Sequence, residues 1–291
     1  MSNGAWYLAR GRTLALEPFA LMGILNVTPD SFSDGGQHLD PVAATARALA
    51  MAAEGATMID VGGESTRPGA NAVPAADQIA RVLPVIRGIR DASDVKISID
   101  TTSAEVAKAA LDAGADAVND QSAGEADPAM FPLVAERGAG ICLMHRVRPP
   151  SLDAYSHSMP ASIIGGDVVK AVNDYLIHRA FHAMEAGVAR SAIAVDPGLG
   201  FGKTVEQNFM LIARADELAA LGFPVVFGAS RKSFLGKASG VEAPAERVSG
   251  SVIAAASAWS AGVRIFRVHD VAATRQALLV AKAILEAGPL D

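Results

Sequence analysis

The sequence predicts an α/β fold, a TIM (β/α)8 barrel of parallel strands, formed by a single domain over residues 1–291. Short runs of apolar and β-branched residues recur along the chain, and each precedes a longer Ala/Leu/Val-rich stretch with helical spacing. This alternation is typical of a parallel sheet, and eight such units close a barrel of about 250 residues. A doubly wound open sheet is the alternative. The predicted strands are Phe19–Leu25, Thr57–Val61, Lys96–Ile99, Ala117–Asn119, Gly140–Met144, Ala192–Val195, Val225–Phe227 and Arg264–Val268.

Helices are predicted between these strands from the apolar periodicity of one buried face. Several of them end at a glycine that comes shortly before the next strand, as left-handed helix C-caps do. The predicted helices include Pro41–Glu54, Ala75–Asp91, Ala104–Ala113, Asp167–Gly187, Glu206–Arg214, Glu246–Ala261 and Val271–Ala287. The predicted capping residues are Gly55, Gly114, Gly187, Gly222 and Gly262.

Charge and composition argue against several classes of partner. The formal net charge is −6 and no Lys/Arg run is present, whereas nucleic acids and anionic membranes attract clustered basic surfaces. Cys142 is the only cysteine and lies in an apolar run, so it is predicted to be a core residue without a disulfide. The N-terminus lacks a signal-peptide pattern, and no apolar run approaches the roughly 18 residues of a membrane span. We therefore expect a cytoplasmic protein that binds small molecules.

Polar residues stand at or just after the carboxyl end of each predicted strand. In a barrel these ends converge on one face, where catalytic and binding groups collect. The eight positions therefore predict one pocket. They are Asn26, Asp60, Asp100, Asn119, His145, Asp196, Ser230 and Arg267.

The loops after the first two strands have the composition of mobile segments that can close over a site. Residues 26–36 read NVTPDSFSDGG, and residues 62–70 read GGESTRPGA. From composition alone, an ordinary surface loop is the alternative for each of them.

Two strand-end carboxylates, Asp100 and Asp196, favour a ring ligand. A carboxylate can accept two parallel hydrogen bonds from an amidine-like N–H/NH2 edge, as it does from Arg. For Asp100, capping of the following helix is the alternative. The string DPGLGFGKT that begins at Asp196 has Pro197 where a Walker motif has its first Gly, which argues against a nucleoside triphosphate site. Its glycines favour a tight turn against a flat ligand, and Phe201 packs either on that ligand or in the core.

Basic residues follow the last two predicted strands. Arg231 and Lys232 belong to the string SRKS, and Arg267 and His269 to the string RVHD. Barrel enzymes often bind phosphate beside strands seven and eight, and Arg suits diphosphate oxygens. Pairing with acidic residues is the alternative for any one of them.

Taken in chain order, these motifs resemble the dihydropteroate synthase family, and the resemblance covers nearly the whole chain. It implies a transferase of folate biosynthesis in which 4-aminobenzoate attacks 6-hydroxymethyl-7,8-dihydropterin diphosphate, giving 7,8-dihydropteroate and diphosphate. It also implies bound Mg2+, a homodimer and inhibition by sulfonamides. The matching strings are NVTPDSFSDGG, ESTRPG, SIDT, ND, DPGLGFGKT, SRKS and RVHDV.

The resemblance further implies a role for each matching residue. The pterin would contact Asp100, Asn119, Met144, Asp196, Phe201 and Lys232. The diphosphate would contact Asn26, Arg67, Arg267 and His269, with Asn26 as the one protein ligand of Mg2+. The residues implied for 4-aminobenzoate are Phe32, Thr66, Arg67, Pro68, Phe201 and Ser233. The implied catalytic residues are Asp34, Arg67, Lys232 and Arg267.

The chain departs from the family pattern at two places. Gln121 stands where the family usually has an apolar residue, and Arg146, Val147 and Arg148 replace the usual residues after His145.

Three other functions are alternatives. A methyltetrahydrofolate-binding methyltransferase would share the pterin barrel, a non-catalytic paralogue would have lost the loop or diphosphate residues, and a sugar-phosphate aldolase would need a Schiff-base Lys or a His cluster inside the barrel.

Overall fold

The structure is a computed structural model that describes residues 4–28, 40–160 and 163–287. Eight parallel strands form one sheet, in the order β8-β7-β6-β5-β4-β3-β10-β9, and a bridge between Val195 and Val225 closes it. The predicted TIM barrel is therefore confirmed, and the open-sheet alternative is wrong. The strands are β1 (Ala5–Tyr7), β2 (Thr13–Ala15), β3 (Ala20–Asn26), β4 (Met58–Gly62), β5 (Lys96–Asp100), β6 (Ala117–Asp120), β7 (Gly140–Met144), β8 (Ile193–Asp196), β9 (Val226–Phe227) and β10 (Ile265–Val268).

The helices cover the outside of the barrel. The seven helices named from the sequence are present with ends that differ by at most two residues, and all five predicted capping glycines have a positive φ. Three short helices, α4, α7 and α8, were not predicted. The helices are α1 (Pro41–Glu54), α2 (Ala75–Ala92), α3 (Ala104–Asp112), α4 (Met130–Arg137), α5 (Val168–Glu185), α6 (Val205–Ala213), α7 (Ala215–Ala219), α8 (Ser233–Ser239), α9 (Val248–Ser260) and α10 (Val271–Ala287).

Successive strand residues point to opposite faces, so each barrel strand contributes to two cores. Outward-facing residues such as Ile59, Val61 and Ile97 pack against the helices in one large cluster. Inward-facing residues such as Met58 and Cys142 form a second cluster inside the barrel. Cys142 is buried and unpaired, as predicted.

An antiparallel hairpin of β1 and β2, which the sequence did not predict, lies against the interior cluster. Its residues Trp6, Leu8, Leu14 and Leu16 are buried together with the first inward-facing residues of the barrel strands. The Trp6 indole N–H donates to the carbonyl of Ala192, 2.8 Å away, just before β8. The hairpin thus closes the amino end of the barrel, so the carboxyl end is the one available for a ligand.

None of the described helices combines the length and the apolarity that crossing a membrane requires.

Candidate active site

The inward-facing residues at the carboxyl ends of β4, β5 and β10 form a buried ion-pair network. The Arg267 guanidinium donates through Nε to Asp60 Oδ2 at 2.6 Å and through Nη2 to Asp100 Oδ2 at 2.6 Å. Burial lowers the pKa of Arg267, but Asp60 and Asp100 outweigh it and raise the pKa overall. Arg267 therefore stays charged, and its other N–H groups, which make no hydrogen bond within the described residues, can meet an anion.

Asp60 has a supporting position beneath this network. It is 1% exposed and accepts hydrogen bonds from the Ser98 hydroxyl and from Asn119 Nδ2, the latter at 3.0 Å. With Arg267, this makes three donors on one carboxylate, so Asp60 fixes the orientation of both Arg267 and Asn119. The sequence placed Asp60 at a strand end but assigned it no function.

Gln121 joins the network from the loop after β6. Its Nε2 donates to Asp100 Oδ1 at 2.7 Å, so both oxygens of Asp100 already hold a donor. The other amide atom, Oε1, is buried and has no hydrogen-bond partner in the described part of the chain.

Asp196 ends β8 and holds the turn that follows. Its Oδ1 accepts a hydrogen bond from the backbone N–H of Gly198 at 2.7 Å. Gly198 has φ of +66°, and a Cβ there would stand 1.9 Å from the carbonyl oxygen of His145. Only glycine fits this close approach.

Lys232 and Phe201 form one wall of the pocket. The Lys232 Nζ lies 3.9 Å from the centroid of the Phe201 ring, within the range of a cation–π interaction. The pocket is lined by Asn119, Gln121, Met144, Asp196, Gly198, Leu199, Phe201, Gly228, Lys232 and Arg267. Five of the six residues predicted for the pterin thus share one pocket, and the sixth, Asp100, is bonded to two of its lining residues.

Burial sets the charge balance of this pocket. It raises the pKa values of Asp100 and Asp196, and Arg267 opposes the rise at both. It also lowers the pKa of Lys232 to about 8, with Arg267 adding to the effect. The proton affinities of the two carboxylates and of Lys232 are therefore brought closer together, as is common at binding sites, while Arg267 stays charged.

Lys203, which the sequence reasoning missed, supports the turn after β8 from beneath. It is fully buried, and its Nζ donates to the carbonyls of Gly198 at 2.9 Å and Phe201 at 3.0 Å. The same Nζ lies 3.0 Å from Nδ1 of His145. Burial lowers the pKa of Lys203 to about 7 and that of His145 to about 2, so the imidazole is neutral and accepts the hydrogen bond.

The residues after β9 and β10 divide into two groups. Arg231 pairs with Asp270 through two hydrogen bonds and so ties the two loops together, which is the alternative considered for it from the sequence. His269 and Ser230 share two contacts, because the backbone N–H of His269 donates to Ser230 Oγ at 3.1 Å while that oxygen lies 3.0 Å from the ring Nδ1. Burial lowers the pKa of His269 to about 3. With the Ser230 hydroxyl donating to Nδ1, the neutral ring carries its proton on Nε2.

A second cavity of about 220 Å3 shares the lining residue Gln121 with the first, and Asp100 also lines this second cavity. Thr66 lines it, and its loop is joined to the loop after β7 by a 2.8 Å hydrogen bond from the Gly69 N–H to the Pro150 carbonyl. Arg67 is exposed on this loop. The cavity lies between the loops that follow β4, β5, β6 and β7.

The remaining predicted site residues have separate positions. Asn26 ends β3 with its Oδ1 3.8 Å from where a Cβ on Gly62 would stand. Pro68 is partly buried in the loop after β4, and Ser233 begins α8. Phe32 and Asp34 lie outside the described residues.

Within those residues, no cluster of three or more His, Cys, Asp or Glu side chains could hold a metal ion. The predicted metal ligand Asn26 offers one amide oxygen. Such a donor fits only a hard cation that takes its other ligands from water and from a substrate, as Mg2+ does in phosphate sites.

Comparisons with known proteins point to one family. A family described as pterin binding enzyme matches residues 22–269. A dihydropteroate synthase of Mycobacterium leprae is 45% identical over 95% of this chain and 97% of its own length. The dihydropteroate synthase of Xanthomonas albilineans with 4-aminobenzoic acid has a TM-score of 0.88 at 42% identity, covering 99% of this chain and 100% of that one. Its complex with 7,8-dihydropteroate has a TM-score of 0.83 at 41% identity, covering 97% and 98%. The Yersinia pestis dihydropteroate synthase with a sulfonamide drug complex has a TM-score of 0.87 at 38% identity, covering 96% and 98%.

The barrel and the pocket at its carboxyl end define an enzyme of the pterin binding class. Within that class, the chain belongs to the dihydropteroate synthase family. These relatives favour that family over the methyltransferase, scaffold and aldolase alternatives.

Proposed function

We propose that this chain is a transferase that joins 6-hydroxymethyl-7,8-dihydropterin diphosphate to 4-aminobenzoate, releasing 7,8-dihydropteroate and diphosphate. The observation that carries the proposal is the meeting of Asp196, Asn119, Phe201, Lys232 and Arg267 around one pocket. These side chains match the needs of a flat ring with an amidine-like edge and an anionic leaving group.

Asp196 is the carboxylate better placed to take that edge. Its Oδ1 holds one backbone N–H and its Oδ2 has no donor within the described residues, whereas both oxygens of Asp100 hold donors. Oδ2 lies 3.8 Å from where a Cβ on Gly228 would stand, so the absence of a side chain there leaves it open to the pocket. The 2-amino group and N3–H of the pterin would donate to Asp196 in parallel.

The reaction then depends on the cations. Cleavage of the methylene–oxygen bond places charge on the departing diphosphate, and Arg267 and Lys232 stabilise it by a preorganised positive potential. The neutral His269 ring would add a hydrogen bond from Nε2. The aromatic amine forms the new carbon–nitrogen bond and then loses a proton. The dihydropterin delocalises the methylene cation, and Phe201 covers one side of the ligand.

The amine substrate would lie towards the loops. We propose that Thr66, Arg67, Pro68, Phe201 and Ser233 contact 4-aminobenzoate. Arg67 would also reach the diphosphate when its loop closes. Phe32 would help to enclose the amine, and Asp34 would support the closed, cation-bound state. Closure would exclude water from the reactive methylene.

Mg2+ is proposed as the cofactor, with Asn26 as its protein ligand. When bound, the ion would neutralise part of the diphosphate charge.

Two further properties are proposed for the whole chain. A cytoplasmic location agrees with its single buried cysteine. A homodimer agrees with exposed apolar residues on α9 and α10, where Ile253 is 66% and Ile284 is 68% exposed.

Product analysis tests the function. The purified chain is incubated with dihydropterin diphosphate and 4-aminobenzoate, with and without Mg2+, and dihydropteroate is measured by mass spectrometry. We expect product only when both substrates are present, stimulation by Mg2+, and competition by a sulfonamide against 4-aminobenzoate. Failure to form dihydropteroate with Mg2+ would contradict the proposal. Mg2+ stimulation that is unchanged in Asn26→Ala would show that Asn26 is not a ligand of the metal.

A further inference from the structure

Gln121 has a fixed position in the loop after β6. The neighbouring Asp120 accepts hydrogen bonds through Oδ1 from the Ser122 N–H at 2.8 Å and through Oδ2 from the Gly124 N–H at 2.7 Å. The Arg179 guanidinium holds the same loop through the carbonyl of Ala123 at 2.7 Å. Gln121 itself is 3% exposed. The loop thus holds this side chain at the junction of the two cavities, both of which it lines.

The orientation of the Gln121 amide follows from its neighbour. Asp100 accepts a hydrogen bond from Arg267 at Oδ2, and the Arg267 charge opposes the rise of the Asp100 pKa to about 7 that burial causes. The NH2 group of Gln121 faces the other oxygen of Asp100, with Nε2 2.7 Å from Oδ1. This leaves Oε1 as a buried acceptor without a donor among the described residues. A buried acceptor left unpaired costs roughly 1–3 kcal/mol, so its position favours a ligand that supplies an N–H.

On the basis of the proposed function, the ligand is a 7,8-dihydropterin. Its N–H groups limit which ring position can donate to Gln121. A 7,8-dihydropterin has N–H groups at the 2-amino position, at N3 and at N8. Asp196 is the better receiver for the first two, because its Oδ2 is open while both oxygens of Asp100 are occupied. The N8–H lies on the adjacent edge of the ring. Both N8–H and the second N–H of the 2-amino group remain on that edge, and of these two donors only N8–H is lost when the ring is oxidised.

We propose that Gln121 determines specificity for the reduction state of the pterin, by accepting a hydrogen bond from N8–H. In an oxidised pterin, N8 carries a lone pair and no hydrogen. The Gln121 oxygen would then face an acceptor, so the oxidised ring is disfavoured twice, by the lost bond and by repulsion. The apolar residue usual in the family at this position would make neither distinction.

The test compares binding of 6-hydroxymethyl-7,8-dihydropterin with binding of 6-hydroxymethylpterin by calorimetry. The proteins are the unmodified chain, Gln121→Met, which keeps the length of the side chain, and Gln121→Ile, which introduces an apolar residue. Gln78→Met is the matched control, because Gln78 is a buried glutamine of α2 that does not line either cavity. Circular dichroism checks that each variant is folded.

We expect the preference for the dihydropterin to fall about twofold to twelvefold in both Gln121 variants, the effect of one net hydrogen bond, and to stay unchanged in Gln78→Met. The ratio cancels any general loss caused by breaking the bond to Asp100. Equal weakening of both pterins, or no change in either, would overturn the proposal. If the unmodified chain prefers the dihydropterin through Gln121 but forms no dihydropteroate, the proposed function fails and the specificity role stands. If it binds neither pterin, both fail.

Discussion

At the scale of single residues, Lys203 shows how a buried cation can be held by neutral groups. Its described hydrogen-bond partners are backbone carbonyls and the neutral His145 ring. Within the described part of the chain no carboxylate bonds it, so burial dominates and lowers its pKa to about 7. Its function is to fix the turn that carries Gly198 and Phe201 into the pocket.

This gives a prediction for stability against pH. Above pH 7 the folded Lys203 has lost its proton, while in the unfolded chain it keeps that proton until about pH 10.5. The unfolded state therefore binds more protons in this window, and Lys203 makes stability rise with pH by up to about 1.4 kcal/mol per unit. Below pH 7 both states are protonated and the contribution is constant. We expect Lys203→Met to lose this slope.

The measurement is the free energy of unfolding in urea at pH 7, 8 and 9. Lys108→Met is the control, because that lysine is 59% exposed on α3 and forms a surface pair with Asp112. The control should keep the pH slope of the unmodified chain. Identical slopes in Lys203→Met and the unmodified chain would show that Lys203 does not lose its proton in this range.

Sequence reasoning found some of the polar residues of the site and missed others. Asp100 and Asp196 were predicted because each ends an apolar strand, where the barrel geometry brings such residues together. Lys203 was not predicted, and Gln121 was noted only as a departure from the family pattern, because their contacts with His145 and Asp100 form only on folding. A lysine in a Gly-rich loop is more often solvated, so its type gave no signal.

At the scale of elements, the turn between β8 and α6 joins the strand core to the pocket. The Thr204 side chain and Gln207 form a capping box that starts α6. The Gly198 N–H and the Asp196 carboxylate start the turn itself. The backbone between Gly198 and Thr204 therefore has little conformational freedom, and it positions Phe201 beside Lys232.

We predict that Gly198→Ala disrupts this turn. The new Cβ would lie 1.9 Å from the His145 carbonyl oxygen at φ of +66°, so the clash adds to left-handed strain. Gly138→Ala is the matched control, because Gly138 also has a positive φ, +55°, but open space around it. The control should lose about 1–2 kcal/mol of stability from strain alone. Gly198→Ala should lose more and should also weaken pterin binding, as measured by urea unfolding and calorimetry. Similar losses in the two variants would contradict this account.

Element prediction succeeded where apolar periodicity was long and failed where elements were short. Helix α1 was predicted with its observed ends, and in the structure Asp40 caps its start and Gly55 ends it. Helix α8 has seven residues, includes Gly236 and lacks a side-chain cap, so its local sequence carries no strong helix signal. Strands β1 and β2 have three residues each and are stabilised by burial against the barrel rather than by their own pattern.

At the scale of the whole molecule, the interior of the barrel differs in polarity between its two ends. The interior near the amino end is apolar and closed by the hairpin. The interior near the carboxyl end is polar, with Asp60, Asn119 and Arg267 in hydrogen-bonded contact. Stability and binding are thus assigned to opposite ends, as is general for this fold.

The hairpin should therefore contribute to stability with little effect on the reaction. Trp6 is fully buried inside the barrel and Tyr7, its neighbour on β1, is 50% exposed. Replacing a buried Trp with Ala removes its packing and its hydrogen bond to Ala192, at a cost of about 3–5 kcal/mol. We expect Trp6→Ala to lose that much free energy of unfolding in urea, whereas Tyr7→Ala should lose less than about 1 kcal/mol. At low temperature, where Trp6→Ala remains folded, its KM for the pterin diphosphate should match that of the unmodified chain. A raised KM in folded Trp6→Ala would show that the two ends of the barrel are coupled.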